Sequence, residues 1–321
     1  MKERSSRVVG DNPVANYRDD FAQSLEQSER SPNTIKNYLC DLDAFARWFE
    51  TERKEELTPT KITPTDLREY KQFLTQKLAL KPQSINRKLS TLRSFLSWAV
   101  HAELLPDHRI PRFPKAVQEK DRGPQWLDRH EQHALLRTVE RSGLHRDLAI
   151  VKLLLNTGLR VSEVCGLTWG DIKITDRKGS LVVRTGKGRQ RREVPLNKDA
   201  RNALLSIGYL DKAGTQSYVF IGQRGPMTPR GVESMLKKYV HLAELDDVSP
   251  HSLRHTFCKN LIDAGVGLEK VAALAGHENL ETTRRYCEPD HHDLEAAVEL
   301  IGEEENSQMK TLRNVRAIKG K

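Results

Sequence analysis

Pro106, Pro111, Pro114 and Pro124, with Arg122-Gly123 just before the last of them, divide the chain into two parts. Proline has no backbone N–H to give to a helix or a sheet ladder, and it disfavours helix in the residue before it. No regular element is therefore expected to run through 106–124, which reads as a stiff linker. In a chain of 321 residues, the part on either side is long enough to bury a core of its own. The expected divisions are a flexible start at 1–11, a helical domain at 12–105, the linker, a second domain at 125–306 and a basic mobile tail at 307–321. That tail carries Lys310, Arg313, Arg316, Lys319 and Lys321 with little apolar content.

Ahead of the linker the apolar period is helical. Ser31-Pro32 is a cap followed by proline at the first helical position, and Ile35, Tyr38, Leu39, Leu42, Phe45 and Phe49 follow at helical spacing over 31–50. Thr63-Pro64 repeats the signal for a helix with Leu67, Tyr70, Phe73 and Leu74 inside. A further helix over about 83–102 turns on Ile85, Leu89, Leu92, Leu96 and Ala99. Beyond the linker, Asp128 opens a helix, and 148–155 is an apolar core helix stopped by Gly158. Strand signals follow at 171–174, 181–184 and 193–196, with Gly186-Lys187-Gly188 as a hairpin turn that presents Lys187 at its tip. Helices return at 198–207, 228–243, 250–264, 268–275 and 290–301. The fold class expected is mainly α with a small antiparallel β-sheet.

The formal net charge is +9, which suggests a polyanionic partner, because each phosphate neutralised releases condensed counterions. The surplus is local. Between Glu69 and Glu103 there is no acidic residue, while Lys71, Lys77, Lys81, Arg87, Lys88 and Arg93 supply one sign of charge over two helices. Between Arg177 and Arg192 every charged residue is basic, Arg184, Lys187, Arg189, Arg191 and Arg192 among them. These two runs are the expected DNA contacts. The four cysteines, Cys40, Cys165, Cys258 and Cys287, form no C-x-x-C pair, so neither a zinc ribbon nor a disulfide framework is indicated. With no apolar signal core at the start and no stretch of membrane-span length, a soluble cytoplasmic protein is expected, with no membrane partner.

The chemistry gathers in three phrases: Thr157 to Glu163 around Arg160, His251 to His255 around Arg254, and Gly276-His277 followed by Tyr286. Attack on a phosphodiester adds charge to the phosphoryl oxygens, and fixed cations are needed to meet it. Arg160 and Arg254 each offer a permanently protonated fork, by analogy worth about 3–4 kcal/mol of transition-state stabilisation apiece. Tyr286 is the expected nucleophile. With an ordinary pKa of about 10 it is short of its reactive form at pH 7 by roughly 4 kcal/mol, which a base or a strongly cationic site must supply. His251 and His277 are candidates for donating to the phosphate or handling that proton, and Lys187 for protonating the departing sugar oxygen. Ser249-Pro250 opens a helix that places His251 and Arg254 on one face, with His255 flanking the site or packed beneath it. Glu163 is expected to hold Arg160 or His251, or merely to favour the helix start. No cofactor or metal is called for.

In these phrases, and across nearly its whole length, the chain resembles the tyrosine recombinases, the phage integrase family that includes the Xer proteins. The resemblance implies a helical core-binding (SAM-like) domain, then a mixed α+β catalytic domain with its Arg, Lys, His-x-x-Arg, His and Tyr in order. It implies a 3′-phosphotyrosyl intermediate, strand exchange through a Holliday junction, and a homotetramer on two double-stranded DNA sites, in some members with a related recombinase or accessory protein. Carried over, Arg160 and Arg254 bind the scissile phosphate, Lys187 is the acid, His251 a base or phosphate donor, His277 a phosphate donor, Tyr286 the nucleophile, and Glu163 the supporting carboxylate. Integration, excision and resolution are all open as outcomes. The tail beyond Gly302 exceeds the compact Xer pattern, and no arm-binding domain is expected ahead of Asn12. Two rival readings are a DNA-binding architectural protein of the same fold without the chemistry, and a metal-dependent nuclease using His251 and His255. The second lacks an H-E-x-x-H phrase or clustered carboxylates.

Overall fold

The structure, a computed structural model, describes residues 13–118, 123, 125–184, 191–277 and 279–286. The chain forms two compact units, 1–121 and 122–321.

The first unit is helical: α1 (Pro13–Gln27), α2 (Pro32–Arg53), α3 (Pro64–Gln72) and α4 (Pro82–His101). Local chemistry sets the starts. Ser31 Oγ accepts the Thr34 N–H (3.1 Å) ahead of Pro32. At Thr63 a reciprocal box forms, in which Asp66 Oδ2 accepts the Thr63 N–H (2.8 Å) and Thr63 Oγ1 accepts the Asp66 N–H (3.2 Å). After α3 the helix widens by one turn, with Leu78 N–H donating to Phe73 O (3.1 Å). The core joins Phe21 and Leu25 of α1, Phe45 and Phe49 of α2, Leu67 and Tyr70 of α3, and Leu92, Phe95 and Leu96 of α4. Phe45 meets Tyr70 edge-on at 4.9 Å, and Phe21 meets Phe95 at 5.4 Å. A turn at Asp107–Arg109 begins the proline-rich stretch, which then lies along this unit: Asn86 donates to Val117 O (3.0 Å) and accepts from its N–H (2.8 Å).

The second unit opens with α5 (Arg129–Arg141), whose start is boxed by Asp128 and Glu131. Next is α6 (His145–Thr157), with Ala149, Ile150, Leu153 and Leu154 fully buried. It stops at Gly158 (φ 62°), where a Cβ would stand 2.4 Å from the Phe257 ring. Both the left-handed backbone and the close approach of Phe257 require glycine there. The chain turns into short α7 (Val161–Gly166) and then a three-stranded antiparallel sheet, β1 (Ile172–Ile174), β2 (Gly179–Arg184) and β3 (Arg191–Pro195), in the order β1-β2-β3. Ile172 faces Leu181 and Leu181 faces Val194, so alternate residues point into the core. The β2–β3 ladder runs out to Arg184 opposite Arg191. The expected tip at Gly186-Lys187-Gly188 lies outside the described residues, as does the helix expected at 290–301.

The remaining elements are α8 (Lys198–Leu205), α9 (Tyr209–Lys212), a small hairpin of β4 (Ile221–Gly222) and β5 (Gly225–Pro226), α10 (Pro229–Leu242), α11 (Pro250–Asp263), α12 (Leu268–Ala275) and α13 (Leu280–Arg284). α11 packs on α6 and α12. Phe257, Cys258, Val271, Ala275 and Tyr286 form a separate apolar cluster there. Among the described residues no helix is long and apolar enough to cross a membrane.

Candidate active site

Three chain reversals bring the site together: the end of α6, the start of α11, and the turn between α12 and α13. Arg160 leads into α7. Its Nη1 donates to Glu163 Oε1 (3.1 Å) and its Nη2 to the carbonyl of Gly276 (2.9 Å), while its backbone N–H donates to Glu163 Oε2 (2.8 Å). Arg254, buried on α11, donates from Nη1 to the carbonyl of Gly158 (2.6 Å). That carbonyl belongs to the glycine that ends α6, so the helix stop also fixes the second arginine. Burial, followed by the charge of Arg160, pushes the Arg254 guanidinium down to about 10.

Glu163 has a second partner. Arg192 of β3 donates to both of its oxygens, Nη1 to Oε1 (2.9 Å) and Nη2 to Oε2 (2.7 Å). Burial alone favours the neutral acid, but the bonds from Arg192 and Arg160 outweigh it and hold Glu163 below the usual carboxylate range. Gly276 (φ 70°) lets the Arg192 guanidinium come close, since a Cβ there would lie 2.7 Å from Arg192 Cζ. One carboxylate thus ties β3 to Arg160, whose other amino group bonds the turn before His277.

Tyr286 follows α13, its N–H bonded to Thr283 O (3.1 Å) and its side chain only 1% exposed. The hydroxyl shares a hydrogen bond with Nδ1 of His255 and also bonds the Cys258 thiol. Burial, then Cys258, raises its pKa far above the ordinary phenol value. The His277 ring stacks nearly parallel to it at 6.3 Å and is oriented by Nδ1 on Thr283 Oγ1 (2.8 Å). His251 lies edge-on to His255 at 4.2 Å. Burial, then neighbouring cations and imidazoles, pushes His255 and His277 down to about 4, and desolvation with Arg254 and Arg160 lowers His251 as well. At neutral pH the two more enclosed rings are therefore uncharged.

Arg160, Glu163, His251, Arg254, His277 and Tyr286 accordingly meet in one place. Lys187 and Arg189 lie outside the described residues. Several residues expected to contact DNA turn out to be engaged within the protein. Arg192 is given over to Glu163, and Arg184 pairs with buried Asp171 (2.6 Å). In the helical unit Lys88 and Arg87 both reach Asp41 of α2, Lys71 donates to Lys115 O (2.8 Å), and Arg93 covers the Phe113 ring at 4.8 Å. The run without acidic residues is thus neutralised in part from another helix, so its charge is not all displayed. Lys77, Lys81 and Arg191 are exposed. The bond between His255 and Tyr286 and the inward turn of Arg192 were not expected. Strand alternation carried the signal for the latter, since Arg192 is two positions from buried Val194.

Residues 125–292 match the phage integrase family and residues 19–103 its N-terminal SAM-like domain. The chain is 34% identical to tyrosine recombinase XerC of Myxococcus xanthus over 294 residues, covering 86% of this chain and 93% of that protein. The chain belongs to the phage integrase family. On that membership it is a tyrosine-type site-specific recombinase that acts on DNA. This family member is also 29% identical to the TnP I resolvase of Bacillus thuringiensis over 287 residues, covering 88% of the chain and 98% of that protein. In fold it is similar to the XerH site-specific recombinase bound to palindromic difH substrate (TM-score 0.70, 19% identity, 92% of this chain and 90% of that one).

Proposed function

We propose that Tyr286 of this recombinase cuts one DNA strand at a time and holds it as a 3′-phosphotyrosyl ester. What carries the reading is the convergence of two arginines and three imidazoles around one phenol in the second unit. Arg160 and Arg254 bind the non-bridging oxygens of the scissile phosphate, His251 and His277 donate to the same oxygens, and Glu163 with Arg192 aims Arg160. As the Tyr286 Oη–P bond forms, the bond to the 5′ oxygen breaks, and Lys187 protonates that oxygen. The ester keeps the energy of the broken bond, so a 5′-hydroxyl from a second duplex reseals the strand without ATP or metal. Exchange of both strand pairs passes through a Holliday junction, with four protomers on two sites; a lambda integrase tetramer bound to a Holliday junction has a similar fold (TM-score 0.66, 18% identity). The helical unit holds the duplex through its exposed cations, Lys77 and Lys81 first among them.

A duplex nicked close to the cut site loses a short fragment after cleavage and traps the ester. Wild type is expected to form a covalent adduct that mass spectrometry places on Tyr286, at an unchanged rate in EDTA, and Tyr286→Phe to form none. An adduct on another residue, or cleavage abolished by EDTA, overturns the proposal. Sequencing DNA trapped on the protein in its native cells gives the site and the cut position together.

A further inference from the structure

The geometry points to His255 as the group that takes the phenolic proton of Tyr286 during cleavage and returns it during resealing. This rests on Tyr286 being the nucleophile. Among the described residues His255 is the imidazole that bonds the reacting oxygen; His251, three residues before Arg254, instead meets the His255 ring. A phenol has one proton to give, so with its proton on Nε2 the ring presents a free Nδ1 lone pair to Oη–H. The environment keeps that lone pair available: burial and the facing His251, Arg254, His277 and Arg285 disfavour a charged ring before reaction. The cost of charging it falls when the phosphate arrives, because the dianionic pentacoordinate centre beside Arg160 and Arg254 offsets their field.

The step balances. The Oη–H electron pair becomes the new Oη–P bond, the proton moves to Nδ1, and the P–O5′ electron pair leaves with the 5′ oxygen. In resealing, the 5′-hydroxyl attacks phosphorus and its proton returns to the Lys187 amine, the Oη–P electron pair goes back to Oη, and the imidazolium returns its proton to that phenolate. Two histidines one turn apart on α11 thereby divide the work, His251 on the phosphate and His255 on the nucleophile.

The test measures the single-turnover rate of adduct formation on the nicked duplex and on the same duplex with sulfur in place of the bridging 5′ oxygen. A thiolate leaves without a proton, so this substitution removes the need for an acid but not for a base. His255→Ala and His255→Gln are expected to slow adduct formation roughly 10²- to 10⁴-fold on both substrates, with DNA binding by gel shift changed less than about threefold. Added imidazole is expected to restore part of the rate of His255→Ala. Lys187→Ala, by contrast, should recover on the sulfur substrate. His255→Gln keeps size and polarity and decides the matter if the alanine variant does not fold. A wild-type rate in His255→Gln, or a defect that vanishes on the sulfur substrate, overturns the assignment. If wild type forms no adduct on Tyr286, it is the reading of the site that fails instead.

Discussion

Gly158 ends α6 in a left-handed conformation, admits the Phe257 ring where a Cβ would be, and offers its carbonyl to Arg254. Alanine there meets both penalties, about 1–2 kcal/mol for the backbone and about 1–3 kcal/mol for overpacking. Gly158→Ala is expected to lower stability by at least about 2 kcal/mol in urea unfolding. Adduct formation should fall further than stability does, since a shifted Phe257 carries its helix neighbour Arg254 with it. An unchanged unfolding midpoint would refute the double constraint. Most of the site at this scale was legible, because Arg160, His251, Arg254, His277 and Tyr286 stand in dense local phrases. Arg192 and Asp41 were not. Each acts through a partner distant in sequence, Arg192 on Glu163 and Asp41 on Arg87 and Lys88, and a run of like charges does not reveal which members are neutralised across the fold.

Among the elements, β3 has the most leverage on the site. Its Arg192 side chain is 16% exposed and Glu163 is 9% exposed, so deleting the arginine leaves a largely buried carboxylate held by Arg160 alone. Arg192→Ala is expected to cost about 1.4 kcal/mol or more in transition-state stabilisation, seen as at least a tenfold slower adduct formation, while DNA affinity changes much less. Arg192→Lys should recover little, because one ammonium cannot make the paired bonds of the fork. A wild-type rate in Arg192→Ala would sink the strut role. The helices with capping residues and a long apolar stripe were legible: Ser31, Thr63, Asp128 and Ser249 each stand where the chain begins to coil. The helix α1 has only a single column of Tyr17, Phe21 and Leu25, and β4 and β5 are two residues each. The two-residue strands have no period to read, and the stripe on α1 is one residue wide, so tertiary packing decides them.

For the molecule as a whole, the net charge of +9 overstates the cations free to meet DNA. Lys77 and Lys81 are exposed on the helical unit, whereas Lys88 is 15% exposed and bonded to Asp41. Each phosphate contact contributes about 0.9 to the slope of log affinity against log salt. Replacing Lys77 and Lys81 with alanine is expected to flatten that slope by about 2 and leave the unfolding midpoint in place. Lys88→Ala should do the reverse, lowering the midpoint and sparing the slope. Equal slopes for wild type and the double variant would move the DNA-binding face elsewhere. The near-complete enclosure of Tyr286 bears on a different hazard. On the proposed role of Tyr286, an ester formed on that oxygen is largely shut off from bulk solvent, so hydrolysis competes poorly with the returning strand end and an interrupted exchange can still be resealed.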